Sequence, residues 1–374
     1  MPVRRPVRTS WAAAAAAVLA LASGPARAQN ISNEVSARDS TFAAGINLKT
    51  WDSIKLYGAE AVSERDRKPW LPDGTRIGNF VVYSGIATKT IFDDNIYGSA
   101  TNRRSDLIQQ IEPTLRIGTD LPRHAFDFAF GGRFSKYMEH DNFDHLNVIA
   151  AFNASIQVDH GTQLAITTRS ALEHIDRLSP DEPRNVREPT AVWHNRAAIS
   201  LKRDAGRLWG SVGGAYDTWT YDNVHAFDGS LIDQSNRDLQ TASIHSILGY
   251  RFSPGYDLVG KVRVLRQETP GNTLLKQDAW GYEAAAGLKG EINPLLRWHL
   301  FGGWGVREYD QPGRAPLEAL VGEAGITWLP TQVLTVKLTA GRNITDASGS
   351  DLGTGYASDA GRIDNVLRAI ANSW

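Results

Sequence analysis

The 374-residue chain contains no cysteine and only two methionines. Without cysteine it has no disulfide, thiolate metal site, cysteine nucleophile or lipidated amino-terminal cysteine. The formal net charge is -1, so no overall field favours nucleic acid as a partner. Mean hydropathy is -0.32, and the only long apolar run, residues 11–22, is too short and solitary for a bundle of membrane-spanning helices.

The amino terminus has the three parts of a secretory signal peptide. Arg4, Arg5 and Arg8 form a basic segment, residues 11–22 an alanine-rich apolar segment, and Ala26-Arg27-Ala28 a small-x-small cleavage pattern. We expect a signal peptide at 1–28, cleavage near Ala28 and a mature chain in the envelope of a Gram-negative bacterium. A buried or membrane-anchoring helix is the alternative, although the run is too short to span comfortably.

Residues 106–138 contain two runs in which apolar and polar residues alternate, and the rest of the chain is interpreted by comparison with them. Odd positions from 107 to 117 are mostly apolar and even positions mostly polar, and the phase reverses after a turn at 120–123. A period of two predicts β-strands, and two such runs joined by a short turn predict an antiparallel hairpin. Each run is long enough to cross a bilayer when tilted, since about 9–11 residues suffice. The apolar positions of the second run form a ladder: Phe126, Phe128, Phe130 and Phe134.

The sequence predicts thirteen strands of this kind. They are 78–92, the two strands of the hairpin at 106–138, 146–158, 162–174, 191–202, 208–221, 239–252, 256–267, 279–291, 296–309, 317–328 and 333–342. A fourteenth, 356–367, is weaker because Asp359, Arg362 and Asp364 place charge on both faces. Bacterial barrels usually need an even number of strands, so either this segment closes a fourteen-strand barrel poorly or the chain stops before further strands.

The connections between these segments alternate in length. Short turns such as 159–161 and 253–255 alternate with long polar loops such as 175–190 and 222–238. Short periplasmic turns and long external loops are typical of outer-membrane barrels. The sequence therefore predicts an all-β protein, a transmembrane antiparallel up-and-down β-barrel at 75–374 with 13–14 visible strands, after a periplasmic or lumen-entering extension at 29–74. Soluble sandwiches have shorter strands and propellers repeat every 40 to 50 residues or so, and neither matches.

The polar faces of these strands are predicted to line the barrel interior. Eleven basic and six acidic residues have a clear phase, which suggests a positively biased lumen and anion preference. Mutual pairing of opposite charges is the alternative. The candidate lumen-lining residues are Glu112, Arg116, Asp127, Arg133, Arg169, Glu173, Arg196, Lys261, Arg263, Glu283, Arg297 and Lys337.

Trp209 and Trp219 share a parity and lie ten residues apart, a separation that suits the two interfacial aromatic girdles of a barrel. The alternative is a lumenal track on which sugar rings stack, because Asp217 shares their face. We favour the girdle. Trp298 and Trp304 are expected to face lipid, together with Leu300 and Val306.

The search for catalytic chemistry yields no catalytic residue, metal site or cofactor. Residues 139–145 include His140, His145 and three acidic residues, but their ligand spacing is irregular and a solvated loop is expected. Asp93-Asp94-Asn95 is not followed by calcium-loop spacing. Phosphate-binding glycine loops and nucleophile elbows are absent from the sequence, and we expect the protein not to be an enzyme.

Several stretches resemble the outer-membrane family known as putative β-barrel porin 2. The stretches are Glu64-Arg65-Asp66-Arg67-Lys68-Pro69-Trp70, Gly74-Thr75-Arg76-Ile77-Gly78-Asn79-Phe80, Phe92-Asp93-Asp94-Asn95-Ile96-Tyr97, the strand at 257–267 and Thr327-Trp328-Leu329-Pro330-Thr331-Gln332-Val333-Leu334-Thr335-Val336. The similarity covers roughly 64–367. It implies a passive outer-membrane conduit, in some members associated with exopolysaccharide export. Family members, as the resemblance suggests, continue with more strands after 365–368, and this sequence departs from that pattern. It transfers no catalytic residue.

The sequence thus predicts a porin-like outer-membrane channel, with exopolysaccharide export as its specialisation. The alternatives are a general small-solute porin and a non-conducting barrel that anchors an envelope assembly. The expected partners are outer-membrane lipids and lipopolysaccharide, the barrel assembly machinery, and polysaccharide or small solutes.

Overall fold

The computed structural model describes residues 74–98, 103–177, 182–183, 185–270, 276, 278–330, 334–345 and 356–367. The predicted signal peptide at 1–28 and all but the last residue of the predicted extension at 29–74 lie outside the described residues. Both remain predictions.

Within these ranges the chain is built from strands and two 3-10 turns. The strands are β1 (Thr75–Ile77), β2 (Phe80–Asp93), β3 (Asp106–Thr119), β4 (His124–Tyr137), β5 (His145–Gln157), β6 (Thr162–His174), β7 (Ala191–Ala205), β8 (Leu208–Tyr221), β9 (Val224–His225), β10 (Leu231–Ile232), β11 (Leu239–Ser253), β12 (Tyr256–Glu268), β13 (Ala279–Asn293), β14 (Leu296–Tyr309), β15 (Leu317–Trp328), β16 (Leu334–Thr345) and β17 (Tyr356–Leu367). The 3-10 turns are Asp141–Phe143 and Ser235–Arg237. The described part contains no helix long and apolar enough to cross a membrane.

One antiparallel sheet contains every strand except the loop hairpin β9–β10. Its fourteen long strands follow chain order, each hydrogen-bonded to the strands before and after it, and β1 adds a short edge to β2. The predicted all-β, up-and-down architecture is confirmed. Among the described residues no ladder joins β17 to β1 or β2, so closure of the sheet into a barrel is still a prediction.

The short turns bring successive strands into register. Gly206 and Gly255 have φ values of 79° and 78°, in the left-handed region that glycine adopts without strain. Each lies between two strands of at least 13 residues that pair along almost their whole length. The turn glycines therefore set the register that the side-chain alternation requires.

The charged fourteenth segment is a fully paired strand. The twelve residues of β17 pair with β16 from Thr345↔Tyr356 to Leu334↔Leu367. The register places Asp359 opposite Arg342 and Asp364 opposite Lys337. Charge at Asp359, Arg362 and Asp364 therefore does not exclude a strand here.

The two faces of the sheet differ in polarity and in crowding. The face that carries Arg169, Arg196 and Glu283, which we call the polar face, is crowded, with Ile149 and Ala171 at most 1% exposed. The opposite apolar face is open: its large exposed side chains include Ile86, Phe128, Ile199, Ile244, Leu248, Leu300 and Trp304. An apolar surface of this extent suits a lipid environment.

Candidate functional site: the polar face of the sheet

The sheet register places all twelve predicted lumen-lining residues on the polar face. Arg169 lies opposite Arg196, Arg263 opposite Glu283, and Lys337 opposite Thr327, which in turn faces Arg297. That this face lines an aqueous lumen remains a prediction.

On β2 to β4, Glu112 joins two cations. Its Oε1 accepts hydrogen bonds from Lys89 Nζ at 3.0 Å and from Arg133 Nε at 2.8 Å. Nearer the short turn, Arg116 Nε donates to Asp127 Oδ2 at 2.6 Å. Four of the predicted residues are therefore in ion pairs with one another or with Lys89.

On β6 to β8, two arginines face each other and each has a carboxylate of its own. Arg169 Nη2 donates to Glu173 at 2.9 Å, and Arg196 Nη1 donates to both carboxylate oxygens of Asp217 at 2.8 Å. Like charges directly opposite destabilise a sheet, so these carboxylates offset the Arg169–Arg196 contact. His194 lies between them, with Nδ1 2.8 Å from Arg169 Nη1 and Nε2 3.5 Å from Asp217.

The predicted aromatic girdle at Trp209 and Trp219 is wrong, because both side chains lie on the polar face. Trp219 stacks on His194 with ring centroids 3.7 Å apart and planes at 10°. Trp209 is 4% exposed, its Nε1 donates to Asp257 Oδ2 at 3.0 Å, and Lys289 Nζ lies 4.2 Å from its ring centroid. An indole that donates to a carboxylate and stacks beneath an ammonium suits the polar face. Trp298 and Trp304 have the opposite parity and lie on the apolar face, as expected.

On β12 to β16, four cations surround two carboxylates. Arg307 Nη2 lies 3.3 Å and Arg263 Nη1 3.7 Å from Glu283. Glu323 accepts from His299 Nε2 at 2.9 Å, while Lys261 Nζ is 4.0 Å away and also 3.8 Å from the Phe301 ring centroid. Lys337 is exposed on the neighbouring strand. Arg297, nearer the short turn, lies 3.7 Å from Glu291.

The sheet register assigns further charged residues to the polar face, which the alternation along single strands had left out. On β2 to β16 the basic residues of the polar face are Lys89, Arg116, Arg133, Arg169, Arg196, Lys202, Arg251, Lys261, Arg263, Lys289, Arg297, Arg307 and Lys337. The acidic ones are Asp93, Asp106, Glu112, Asp127, Glu173, Asp204, Asp217, Asp257, Glu283, Glu291 and Glu323. Thirteen basic against eleven acidic residues is a much smaller positive excess than the eleven against six that were counted from the sequence. Asp217 and Glu323 also lie on this face. The sequence could have assigned them to it if alternate positions had been counted on the strands next to those that carry Arg196, Arg263 and Glu283.

The loop at 139–145 is packed, contrary to the expectation of a solvated loop. Phe143 is 1% exposed and contacts Tyr97 edge-on at 5.1 Å, and the Arg177 guanidinium lies 4.8 Å from its ring centroid. Asp106, at the start of β3, accepts hydrogen bonds from the backbone of 138–140, and its Oδ2 lies 2.9 Å from His140 Nδ1. Of the metal-capable side chains of this loop, His140 contacts the start of β3 and Asp144 accepts a hydrogen bond from the end of β4.

The loop that follows β6 carries a buried carboxyl group. Glu182 is 4% exposed, and its Oε1 accepts a hydrogen bond from Thr190 N at 3.0 Å. Burial raises the pKa of Glu182 to about 7. The same loop meets the β8–β11 loop, where Arg187 N donates to His225 O at 2.7 Å and Gln234 Nε2 to Thr190 Oγ1 at 2.8 Å. The loops after β2, β4, β6 and β8 therefore form one packed layer at this end of the sheet.

Comparison with known families decides the classification. Residues 68–365 match the family model described as putative beta-barrel porin 2. The chain belongs to this family. The resemblance drawn from the sequence is therefore confirmed, and the chain is a porin-like outer-membrane β-barrel protein. A comparison with curated protein sequences gave no significant match.

The chain is similar to several solved outer-membrane proteins. The siderophore receptor PirA from Pseudomonas aeruginosa has 12% identity and a TM-score of 0.44, covering 72% of this chain and 44% of the receptor. The ferric-catecholate import receptor Fiu from E. coli has 8% identity and a TM-score of 0.47, covering 79% and 59%. A bacterial polysaccharide outer membrane secretin has 10% identity and a TM-score of 0.40, covering 79% and 100%. The chain spans about half the length of the two receptors, and similarity at this level says nothing about cargo.

Proposed function

We propose that the polar face lines a passive outer-membrane channel and that the cargo is a polysaccharide. The observation that carries the proposal is the chemistry of this face on β6 to β8. Trp219 offers an aromatic plane, backed by His194, beside the guanidinium of Arg196. Sugar rings present apolar faces for stacking and hydroxyl groups for hydrogen bonds, so an aromatic plane beside a fixed donor suits a chain of sugars.

The apolar face and the loop layer fit the surroundings of such a channel. Exposed aliphatic and aromatic side chains on the apolar face would contact lipid, and the packed loops would lie outside the membrane. We propose outer-membrane lipids, lipopolysaccharide and the barrel assembly machinery as partners. A passive conduit requires no catalytic residue.

Single-channel recording on the refolded chain tests the proposal, after heat-modifiable gel migration has shown that the chain has folded. Neutral maltodextrins of increasing length should block the current, with dwell times that lengthen as the oligosaccharide grows. Trp219→Leu should shorten the blocks because the stacking plane is lost. The matched control Trp304→Leu, on the apolar face, should leave them unchanged.

The alternatives give different results. A small-solute porin would conduct and pass monosaccharides in liposome swelling, with no length-dependent block. A non-conducting anchor would fold and insert without any current. Either result would overturn the polysaccharide conduit.

A further inference from the structure

The ion pairs of the polar face are layered: in many of them the carboxylate lies close to the sheet and the cation extends further into the solvent. The side-chain exposures, cation first, are 48% and 11% for Lys89 and Glu112, 47% and 22% for Arg116 and Asp127, 38% and 15% for Arg196 and Asp217, and 44% and 24% for Arg263 and Glu283. Two pairs reverse this order, Lys261 and Glu323 with 37% and 51%, and Arg307 and Glu283 with 3% and 24%. A molecule that approaches this face meets cations before carboxylates at four of these six pairs.

The layering matters because the charges almost balance in number. Long lysine and arginine side chains extend their charged ends toward water, while the short carboxylates stay near the backbone. Coulomb attraction weakens with distance, so a nearby anion interacts more strongly with the outer cations than with the recessed acids. The face therefore attracts anions although thirteen basic residues stand against eleven acidic ones.

The excess of positive charge is concentrated on β12 to β16. Lys261, Arg263 and Lys337, which we call the cationic patch, lie around Glu283 and Glu323, and the buried Arg307 side chain contacts Glu283. The two acids are already held more closely by other groups, Glu283 by Arg307 at 3.3 Å and Glu323 by His299 at 2.9 Å. Contacts of 3.7 Å to Arg263 and 4.0 Å to Lys261 are beyond ordinary hydrogen-bond length.

The distribution of exposed cations favours a polymer over a small anion. They lie on β2, β3, β7, β12 and β16, and neighbouring strands are about 4.8 Å apart. A nearby carboxylate weakens the attraction of each cation for an anion, so a single anion gains little binding free energy at any one of them. A chain with repeated negative charges engages several at once and gains by multivalency.

We propose that the polysaccharide is acidic and that the cationic patch binds its carboxylate groups. This inference rests on the proposed conduit function. The contact is an ordinary charge-assisted hydrogen bond from lysine or guanidinium to a sugar carboxylate, and it stays reversible because the nearby Glu283 and Glu323 compete for the same cations.

Calorimetry on the full refolded chain in detergent tests binding without requiring conduction. The probes are an oligogalacturonate of fixed length and its methyl ester, which keeps the sugar rings and removes the charge. We expect the acid to bind and the ester to bind at least about tenfold more weakly. The double variant Lys261→Gln and Arg263→Gln should lose about tenfold in affinity for the acid.

The matched control is Lys136→Gln with Arg203→Gln. This variant also removes one lysine and one arginine charge, but from the apolar face, where both cations are exposed and paired with Asp144 and Asp159. It should bind the acid like the parent chain. Lys337→Gln provides a second, milder variant in case the double variant does not fold, with an expected loss of about threefold.

The outcomes separate the two proposals. Equal binding of acid and ester, or equal affinity losses in the patch and control variants, would overturn the acidic-polysaccharide inference while maltodextrin block still supports the conduit. Absence of current from a folded chain would overturn the conduit, and the calorimetry would still decide whether the patch binds carboxylates.

Discussion

Arg133 Nε donates to Glu112 Oε1 at 2.8 Å, and both side chains are nearly nine-tenths buried on the polar face. Lys89, the other partner of Glu112, is 48% exposed. The same carboxylate thus takes part in a buried ion pair and in an exposed one. These two pairs are expected to differ in their contribution to stability, because a buried charge left without its partner is costly and an exposed one is hydrated.

Replacing Glu112 by alanine should therefore be much worse than replacing Lys89. We expect Glu112→Ala to lower the free energy of unfolding by about 3–5 kcal/mol, because it removes the buried carboxylate to which the Arg133 guanidinium donates. Lys89→Ala should cost about 0–1 kcal/mol. Urea unfolding of the refolded chain measures both, and equal losses would contradict the difference in burial.

Gly249 should not tolerate a methyl group. A Cβ there would lie 2.1 Å from Trp209 Cε2, so Gly249→Ala must displace the indole that donates to Asp257. We expect a loss of about 1–3 kcal/mol, together with a change in tryptophan fluorescence. Gly260→Ala is the control, since a methyl group at that position would have no atom within 4 Å, and it should unfold like the parent chain or slightly later.

The loop layer should open more easily as pH rises. Burial raises the pKa of Glu182 to about 7 from the ordinary 4.5, so between these values the closed loop holds a proton that the open loop releases. Closure is therefore most favourable below about pH 4.5, weakens as pH rises to about 7, and then levels off, with a total change of about 3 kcal/mol.

Limited proteolysis of the loops between pH 5 and 8 measures this opening. Glu182→Gln keeps the loop closed throughout and should remove most of the pH dependence, leaving a smaller slope from Asp238, whose pKa burial also raises. An unchanged slope in the glutamine variant would show that another group controls the loop.

The chain has no cysteine, so single cysteines can report on the two faces. In the refolded protein in lipid vesicles, labels at Ile244→Cys and Leu248→Cys on the apolar face should be quenched by lipid-soluble reagents. Labels at Lys261→Cys and Arg263→Cys should respond to water-soluble reagents instead, because the polar face is predicted to line the lumen. The reverse pattern would invert the assignment of the faces.

The sequence by itself determined the strands, their order and their phase. A two-residue alternation is a local property, so 162–174, 208–221, 296–309, 317–328 and 356–367 could be delimited without knowing their neighbours. The same alternation assigned the twelve charged residues to one face, and short motifs identified the family.

Only the tertiary structure decided which side chains meet. Trp219 was assigned to a membrane girdle because spacing along one strand carries no information about His194 on the next, on which it stacks. Asp217 and Glu323 were left out because their partners, Arg196 and His299, lie on neighbouring strands. Pairing, burial and the layering of charge depend on the register between strands, and register is set by the whole sheet.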